Sequence, residues 1–259
     1  MARSAACGSS QDRSAYPGGM SGPDLARQSS LEGVRIPSPA RRLNGGTDPA
    51  LVWRNELDGL TFRVDAGYLK WNPRSTGVDL RREIARLRWL EGRIDAPRIL
   101  EAGEDEEGQW LLTAPLPGRS AVDPKWTARP EEAVRAIAAG LRAVHALSVD
   151  AVPEELRGDS WFARRPSALG SAPELVDPVV VHGDACAPNT LVDDDGRWSG
   201  TVDVGDLGVG DRWADLAVAA VSLGWNYGPG HTPLLLAEYG AEPDDERAAY
   251  YRALWSSES

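Results

Sequence analysis

The sequence predicts an α+β chain in two lobes, a small β-rich one with a single key helix and a larger, mainly helical one. Three observations carry that prediction. Residues 51–113 read as strands, one helix, then strands again. Ala114-Pro115-Leu116-Pro117-Gly118 breaks regular structure, and beyond it apolar residues recur at helical spacing. With 259 residues the chain is long enough to bury a core for both lobes.

Residues 1–45 are rich in Ser, Gly, Pro and Arg, lack sustained apolar periodicity, and read as a disordered leader. They hold no apolar run of the kind a secretory signal needs, and Met20 is an alternative start. The first lobe, 46–113, opens with strand-like residues at 51–53, a turn at Asp58-Gly59, and further strands at 61–64 and 68–71, a meander. Asp79 is placed to cap a helix that runs to Glu91 and stops at Gly92, with Leu80, Ile84, Leu87 and Leu90 as its apolar stripe. Short strands at 98–101 and 109–113 close the lobe.

Residues 114–118 form the connector, or hinge, and 119–259 the second lobe. There 131–147 is a helix with Val134, Ile137, Leu141 and Val144 on one face, whereas 150–178 is Pro-rich and irregular. Residues 179–181 give a buried strand. Residues 190–192 and 198–202 pair as a hairpin across Asp193-Asp194-Asp195-Gly196. Stretches 211–223, 232–239 and 244–255 complete the lobe as helices.

Composition excludes several classes of function. A formal net charge of -11 argues against gripping nucleic acid, which needs a positive footprint. The longest apolar stretch, 216–223, falls far short of the roughly 20 residues of a membrane span. Cys7 and Cys186 make no disulfide framework, and with three histidines they give no zinc cluster. A cytoplasmic protein, metal-poor or oxygen-ligated and without an evident obligate protein partner, is what remains. Of 28 positive residues only Lys70 and Lys125 are lysines, so Lys stands out wherever it occurs.

The informative run is His182-Gly183-Asp184-Ala185-Cys186-Ala187-Pro188-Asn189, followed by Val202-Asp203-Val204-Gly205. A carboxylate, an Asn five residues on and a second carboxylate past the next hairpin suit phosphoryl transfer. Two oxygen ligands hold Mg²⁺ against nucleotide phosphates while a separate carboxylate receives or orients the acceptor hydroxyl. Asp184 is the candidate base or orienter, Asn189 and Asp203 the candidate metal ligands. Each alone reads as a turn or cap residue; the combination, following an apolar strand, points to chemistry.

The first lobe offers a nucleotide clamp. Lys70 lies on one strand face with Tyr68, and Glu83 flanks the buried stripe of the helix that follows. A compact ammonium fits between phosphates and a carboxylate where a planar guanidinium does not. The alternative is that Glu83 joins Arg81, Arg82 and Arg86 in a surface charge cluster. The turn Asn55-Glu56-Leu57-Asp58-Gly59 is placed to cover phosphates through the N–H groups of Leu57, Asp58 and Gly59, or is only a hairpin turn. No Gly-x-x-x-x-Gly-Lys-Ser/Thr sequence occurs, so a P-loop is excluded.

On these motifs, with Asp211-Arg212-Trp213 and Ala214-Asp215-Leu216-Ala217, the sequence resembles the aminoglycoside 3'-phosphotransferase family of protein-kinase-like small-molecule kinases over residues 50–254. The resemblance implies a bilobal protein-kinase-like fold and transfer of the γ-phosphoryl group of ATP, with Mg²⁺, to a sugar hydroxyl. It also implies adenine bound by the backbone of Ala114 and Leu116, and Asp215 as a buried support of the catalytic loop. Gly183 stands where protein kinases carry Arg, and no Ala-Pro-Glu segment follows Asp203, so a protein kinase is not implied.

Departures from the family fall on the acceptor side. The stretch between His145 and His182 is short, residues 219–222 carry no Arg, and the chain ends Leu254-Trp255-Ser256-Ser257-Glu258-Ser259. Glu258 and the terminal carboxylate are then the acidic groups left at that end to meet substrate ammoniums. From residue 172 onward 16 acidic residues face four basic ones, a field that draws a cationic acceptor or merely keeps the protein soluble. The acceptor therefore stands open between an aminoglycoside antibiotic, with resistance by modification, and another hydroxylated metabolite or antibiotic. A catalytically inactive nucleotide-binding relative is a further reading, set against the intact set Lys70, Glu83, Asp184, Asn189 and Asp203.

Overall fold

The computed structural model describes residues 33–55 and 57–257. The first lobe is a five-stranded antiparallel sheet in the order β1-β2-β3-β5-β4. Its strands are β1 (Ala50–Arg54), β2 (Leu60–Val64), β3 (Gly67–Pro73), β4 (Ile99–Glu104) and β5 (Gly108–Thr113). Side-chain alternation fixes the faces: Leu60, Phe62, Val64 and Leu69 turn into one small core, while Lys70, paired with Thr61 and Leu111, sits mid-sheet on the other side.

Part of the expected leader belongs to this lobe. Helix α1 (Ser38–Arg42) lays a fully buried Ala40 on the Leu60–Phe62–Leu69 core, with Val34, Ile36 and Leu43 around it. Five residues are too few to show a helical period, so only the sheet reveals that this segment has a place to dock. Met20 and the rest of 1–32 lie outside the described residues.

Helix α2 (Arg81–Leu90) has Leu80 as its N-cap, without a side-chain cap. Asp79, expected to cap it, lies one residue earlier, where its Oδ1 accepts the N–H of Arg81 at 3.0 Å. The helix joins the lobes: Leu80, Leu87 and Leu90 share a core with Leu111 of the sheet and with Val144, Val180, Val204 and Leu207 beyond the connector. Residues 114–118 carry no regular structure.

The second lobe starts with β6 (Arg119–Ser120), α3 (Pro124–Thr127) and α4 (Pro130–His145), then runs through short 3₁₀ turns to β7 (Val179–Val181). Hairpin β8 (Thr190–Val192) and β9 (Trp198–Thr201) pairs with β6, and β7 pairs with β10 (Gly208–Gly210). Helices α5 (Trp213–Tyr227), α6 (Thr232–Tyr239) and α7 (Asp245–Ser256) pack with α4 around Trp126, Ile137, Leu216, Leu223 and Tyr251. Strands β6 and β10 have two and three residues and no readable alternation, so pairing alone defines them. Among the described residues no helix is long and apolar enough to cross a membrane.

Candidate active site

Strand β3 delivers Lys70 to the gap between the lobes, and α2 delivers Glu83. Lys70 Nζ donates to both Glu83 oxygens at 2.8 Å and to Asp203 Oδ1 at 2.7 Å. Burial works against the ammonium, but Asp203 and Glu83 outweigh it and hold the Lys70 pKa above the ordinary lysine value. Burial pushes the Glu83 carboxyl up, opposed by Lys70 and reinforced by Asp203. The neighbouring arginines go elsewhere: Arg81 to Glu104, and Arg82 and Arg86 to Asp159. Glu83 therefore faces Lys70 and does not join a surface charge cluster.

The loop after β7 is built on Asp215, fully buried on α5. Its Oδ2 accepts from the His182 N–H at 2.6 Å and from His145 Nε2 at 2.9 Å, and its Oδ1 accepts from the Gly183 N–H at 2.9 Å. Burial raises its pKa, yet His145, His182 and the Gly183 amide overcome that and hold it below the usual carboxylate value. Burial keeps His182 neutral by lowering its pKa: Nδ1 accepts from the Asp184 N–H at 3.2 Å and Nε2 donates to the Val202 carbonyl at 3.0 Å. Gly183 has φ +84°, and a Cβ there would lie 2.4 Å from the Asp206 carbonyl oxygen, so only glycine lets the two loops approach.

On this base stand Asp184 and Asn189, 4% and 3% exposed. Asn189 Nδ2 donates to the Asp184 carbonyl at 2.9 Å and to its Oδ2 at 3.0 Å. The amide nitrogen is thus committed to Asp184, and Asn189 is presented as an oxygen donor. The Asn189 carbonyl accepts the Val202 N–H at 2.9 Å, which ties Asn189 to the end of the hairpin that carries Asp203. Asp203 has φ 61°, a left-handed backbone that costs a non-glycine residue of order 1–3 kcal/mol. Among the described residues no group of three or more His, Cys, Asp or Glu gathers as a metal site. Asn189 with Asp203 is a two-oxygen set, which fits a hard cation such as Mg²⁺ that takes its other ligands from phosphates and water.

Two cavities open between the lobes. One of about 420 Å³ is lined by Lys70, Glu83, Asp184 and Asp203, with Gly59 and Trp161 on its walls. The other, about 700 Å³, is lined by Val52, Tyr68, Leu111, Ala114, Leu116 and Asn189. Lys70, Glu83 and Asp203 line both. The Ala114 N–H is bonded to the Arg98 carbonyl at 2.9 Å, so its own carbonyl is what it offers a ligand.

The structure thus gathers Lys70, Glu83, Asp184, Asn189, Asp203, Gly59, Ala114 and Leu116 at one cleft. Leu57 and Asp58 line neither cavity. Asn55 Oδ1 accepts the N–H of Leu57 at 3.0 Å and of Gly59 at 2.7 Å, closing the turn on itself, while Asp58 pairs with Arg54 at 2.8 Å. Glu258 lies outside the described residues. Tyr68, whose strand face was legible, emerges as a 40% exposed aromatic on the larger cavity. Asp159 and Trp161 on the smaller cavity come from the irregular stretch, where no sequence signal marks them.

A family model described as the phosphotransferase enzyme family matches residues 39–172 and 159–254. An aminoglycoside 3'-phosphotransferase of Streptomyces fradiae is 36% identical over 218 residues, covering 70% of this chain and 81% of that protein. Among solved structures, an aminoglycoside 3'-phosphotransferase of type VIII superposes with a TM-score of 0.65 at 27% identity, over 83% of this chain and 96% of that one. An aminoglycoside phosphotransferase of Streptomyces rimosus in complex with ADP and streptomycin gives 0.62 at 25% identity, over 77% and 90%.

Proposed function

Because the chain belongs to the phosphotransferase enzyme family, a small-molecule kinase with the protein-kinase-like fold, we propose that it transfers the γ-phosphoryl group of ATP to a hydroxyl of an aminoglycoside. The observation that carries this reading is the convergence of Lys70 and Glu83 from one lobe with Asp184, Asn189 and Asp203 from the other on one cleft.

Adenine enters the larger cavity against Tyr68 and Leu111, where the Ala114 carbonyl and the Leu116 N–H read its edge. Lys70 then exchanges its contact with Asp203 for the phosphates while Glu83 keeps it in place. Asn189 and Asp203 would hold Mg²⁺, which when bound would supply charge neutralisation on the phosphates. Asp184, its carboxylate steadied by Asn189, accepts the proton of the acceptor hydroxyl as that oxygen bonds to the γ-phosphorus and the bond to ADP breaks. The aminoglycoside acceptor rests on the named activity of the Streptomyces fradiae relative and the streptomycin seen in the Streptomyces rimosus complex. The acidic second lobe suits such a cation. In the cytoplasm this reaction would confer resistance by modifying the drug.

The test is ADP release by the purified protein with MgATP and an aminoglycoside panel. Acceptor-dependent release is expected, and Asp184→Ala should abolish it while MgATP still binds. If MgATP binds but no hydroxylated acceptor stimulates release, an inactive nucleotide-binding protein is the better description. Stimulation by non-aminoglycosides alone would overturn the acceptor and leave the chemistry.

A further inference from the structure

Asp159, Ser160 and Trp161 are consecutive residues in the irregular stretch, and each grips a different part of the catalytic machinery. Asp159 Oδ1 accepts from Arg86 Nη2 at 2.6 Å, its Oδ2 lies 2.7 Å from Arg82 Nη1, and its carbonyl accepts from Arg82 Nη2 at 3.2 Å. Both arginines are on α2, flanking Glu83. Ser160 Oγ donates to the carbonyl of Asp206 at 2.7 Å, three residues past Asp203. Trp161 Nε1 donates to the carbonyl of Gly183 at 2.6 Å, next to Asp184.

We propose that these three residues form a strap that sets helix α2, the Asp203 loop and the Asp184 loop in mutual register, with Asp159 as the positioning residue for Glu83. The proposal rests on the reading of the cleft as an ATP site.

Geometry makes the coupling rigid. Arg82 precedes Glu83 in sequence and Arg86 lies one turn on, so a helix rotation that withdraws Glu83 from Lys70 also drags both guanidiniums off Asp159. Exposed ion pairs move freely and hold little. Here Arg86 and Ser160 are each 1% exposed, and Arg86 is committed further, Nε to the Leu207 carbonyl at 2.6 Å and Nη1 to the Arg82 carbonyl at 3.1 Å. A guanidinium so enclosed gives up its partners only at a desolvation cost. Asp159 itself keeps 41% of its side chain exposed, so it can be altered without opening a core.

A double-mutant cycle tests this on the full chain: wild type, Asp159→Asn, Glu83→Gln and the double variant. The readouts are MgATP affinity by calorimetry and kcat for transfer from MgATP to streptomycin, kanamycin and neomycin. Asp159→Asn is expected to fold as wild type and to lower kcat about tenfold, since small misplacements of a positioned group cost one to two orders of magnitude. In the Glu83→Gln background it should add nothing, because Glu83 is the group through which it acts. Arg82→Gln, which breaks the bridge from the helix side together with the 3.3 Å contact of Arg82 Nη2 to Asp206 Oδ1, should follow the same pattern and carries the test if Asp159→Asn fails to fold. Effects that multiply, or an Asp159→Asn or Arg82→Gln variant that matches wild type on both readouts, would overturn the strap while leaving the ATP site standing. A wild type that neither binds MgATP nor transfers, or a Glu83→Gln variant equal to it, would sink the site reading and the strap with it.

Discussion

Glu83 and Asp215 are both carboxylates withdrawn from bulk water, 7% and 0% exposed, and their pKa values move in opposite directions. Asp215 is surrounded by donors that belong permanently to the protein: two backbone N–H groups and the ring of His145, itself 2.7 Å from the Tyr239 hydroxyl. Those donors more than offset its burial. Glu83 is held by one ammonium that it shares with Asp203, and burial prevails. A fully satisfied buried carboxylate is a support; one that shares its cation with a cleft residue is left under-compensated.

Removing the support should have the largest effect. Asp215→Ala leaves the His182 and Gly183 amides and His145 without their acceptor, and loss of one member of such a buried cluster costs about 3–5 kcal/mol. The denaturation midpoint should fall accordingly and activity should vanish with the fold. Equal stability of variant and wild type would erase the distinction between the two centres.

The shared cation should behave in the reverse sense. Lys70→Met removes a donor aimed at developing phosphate charge, worth about 10²–10³ in kcat. Glu83, whose carboxyl burial already pushes up, can then take a proton and avoid standing charged beside Asp203. Stability should therefore drop less than in Asp215→Ala, a contrast read by steady-state kinetics and denaturant titration on the same samples.

Much of the Lys70 centre was legible because its signals are local. Lys70 is one of two lysines, Glu83 falls on the buried flank of a helical stripe, and Asp184, Asn189 and Asp203 lie within one strand–hairpin unit. The Asp159–Trp161 strap was not, since its partners Arg82, Asp206 and Gly183 lie 77, 46 and 22 residues away and 3₁₀ turns carry no period to read. The Asn55 turn stayed open between its two readings for a similar reason. A Gly-bearing hairpin reads alike whether its N–H groups face a ligand or are taken by an Asn side chain, as those of Leu57 and Gly59 are.

Acid sharpens the contrast more gently. The folded pKa of Asp215 is depressed, so its stabilisation is complete above the unfolded value near ~3.9 and is lost as pH falls through the folded one. The stability gap between wild type and Asp215→Asn should accordingly be widest at pH 5–7 (roughly the plateau of such a carboxylate) and narrow below about pH 4. Denaturant midpoints across that range decide it; a gap that widens on acidification would mean that the carboxylate is not the stabilised form.

The smallest effect belongs to the second lysine. Lys125 Nζ is 2.8 Å from Asp194 Oδ1 and 4.5 Å from the centroid of the Trp126 ring, so by distance its carboxylate contact matches those of Lys70. The surroundings differ: the Asp194 side chain is 91% exposed, while those of Glu83 and Asp203 are 10% and 11% exposed. Water and salt screen the Lys125 pair, leaving a weak surface bridge and the attraction of the Trp126 ring face. Lys125→Ala should thus lower the denaturation midpoint only slightly and leave kcat unchanged, because neither Lys125 nor Asp194 lines the cavities between the lobes. A kinetic loss there approaching that of Lys70→Met would show that distance, and not enclosure, sets what a lysine–carboxylate contact does in this fold.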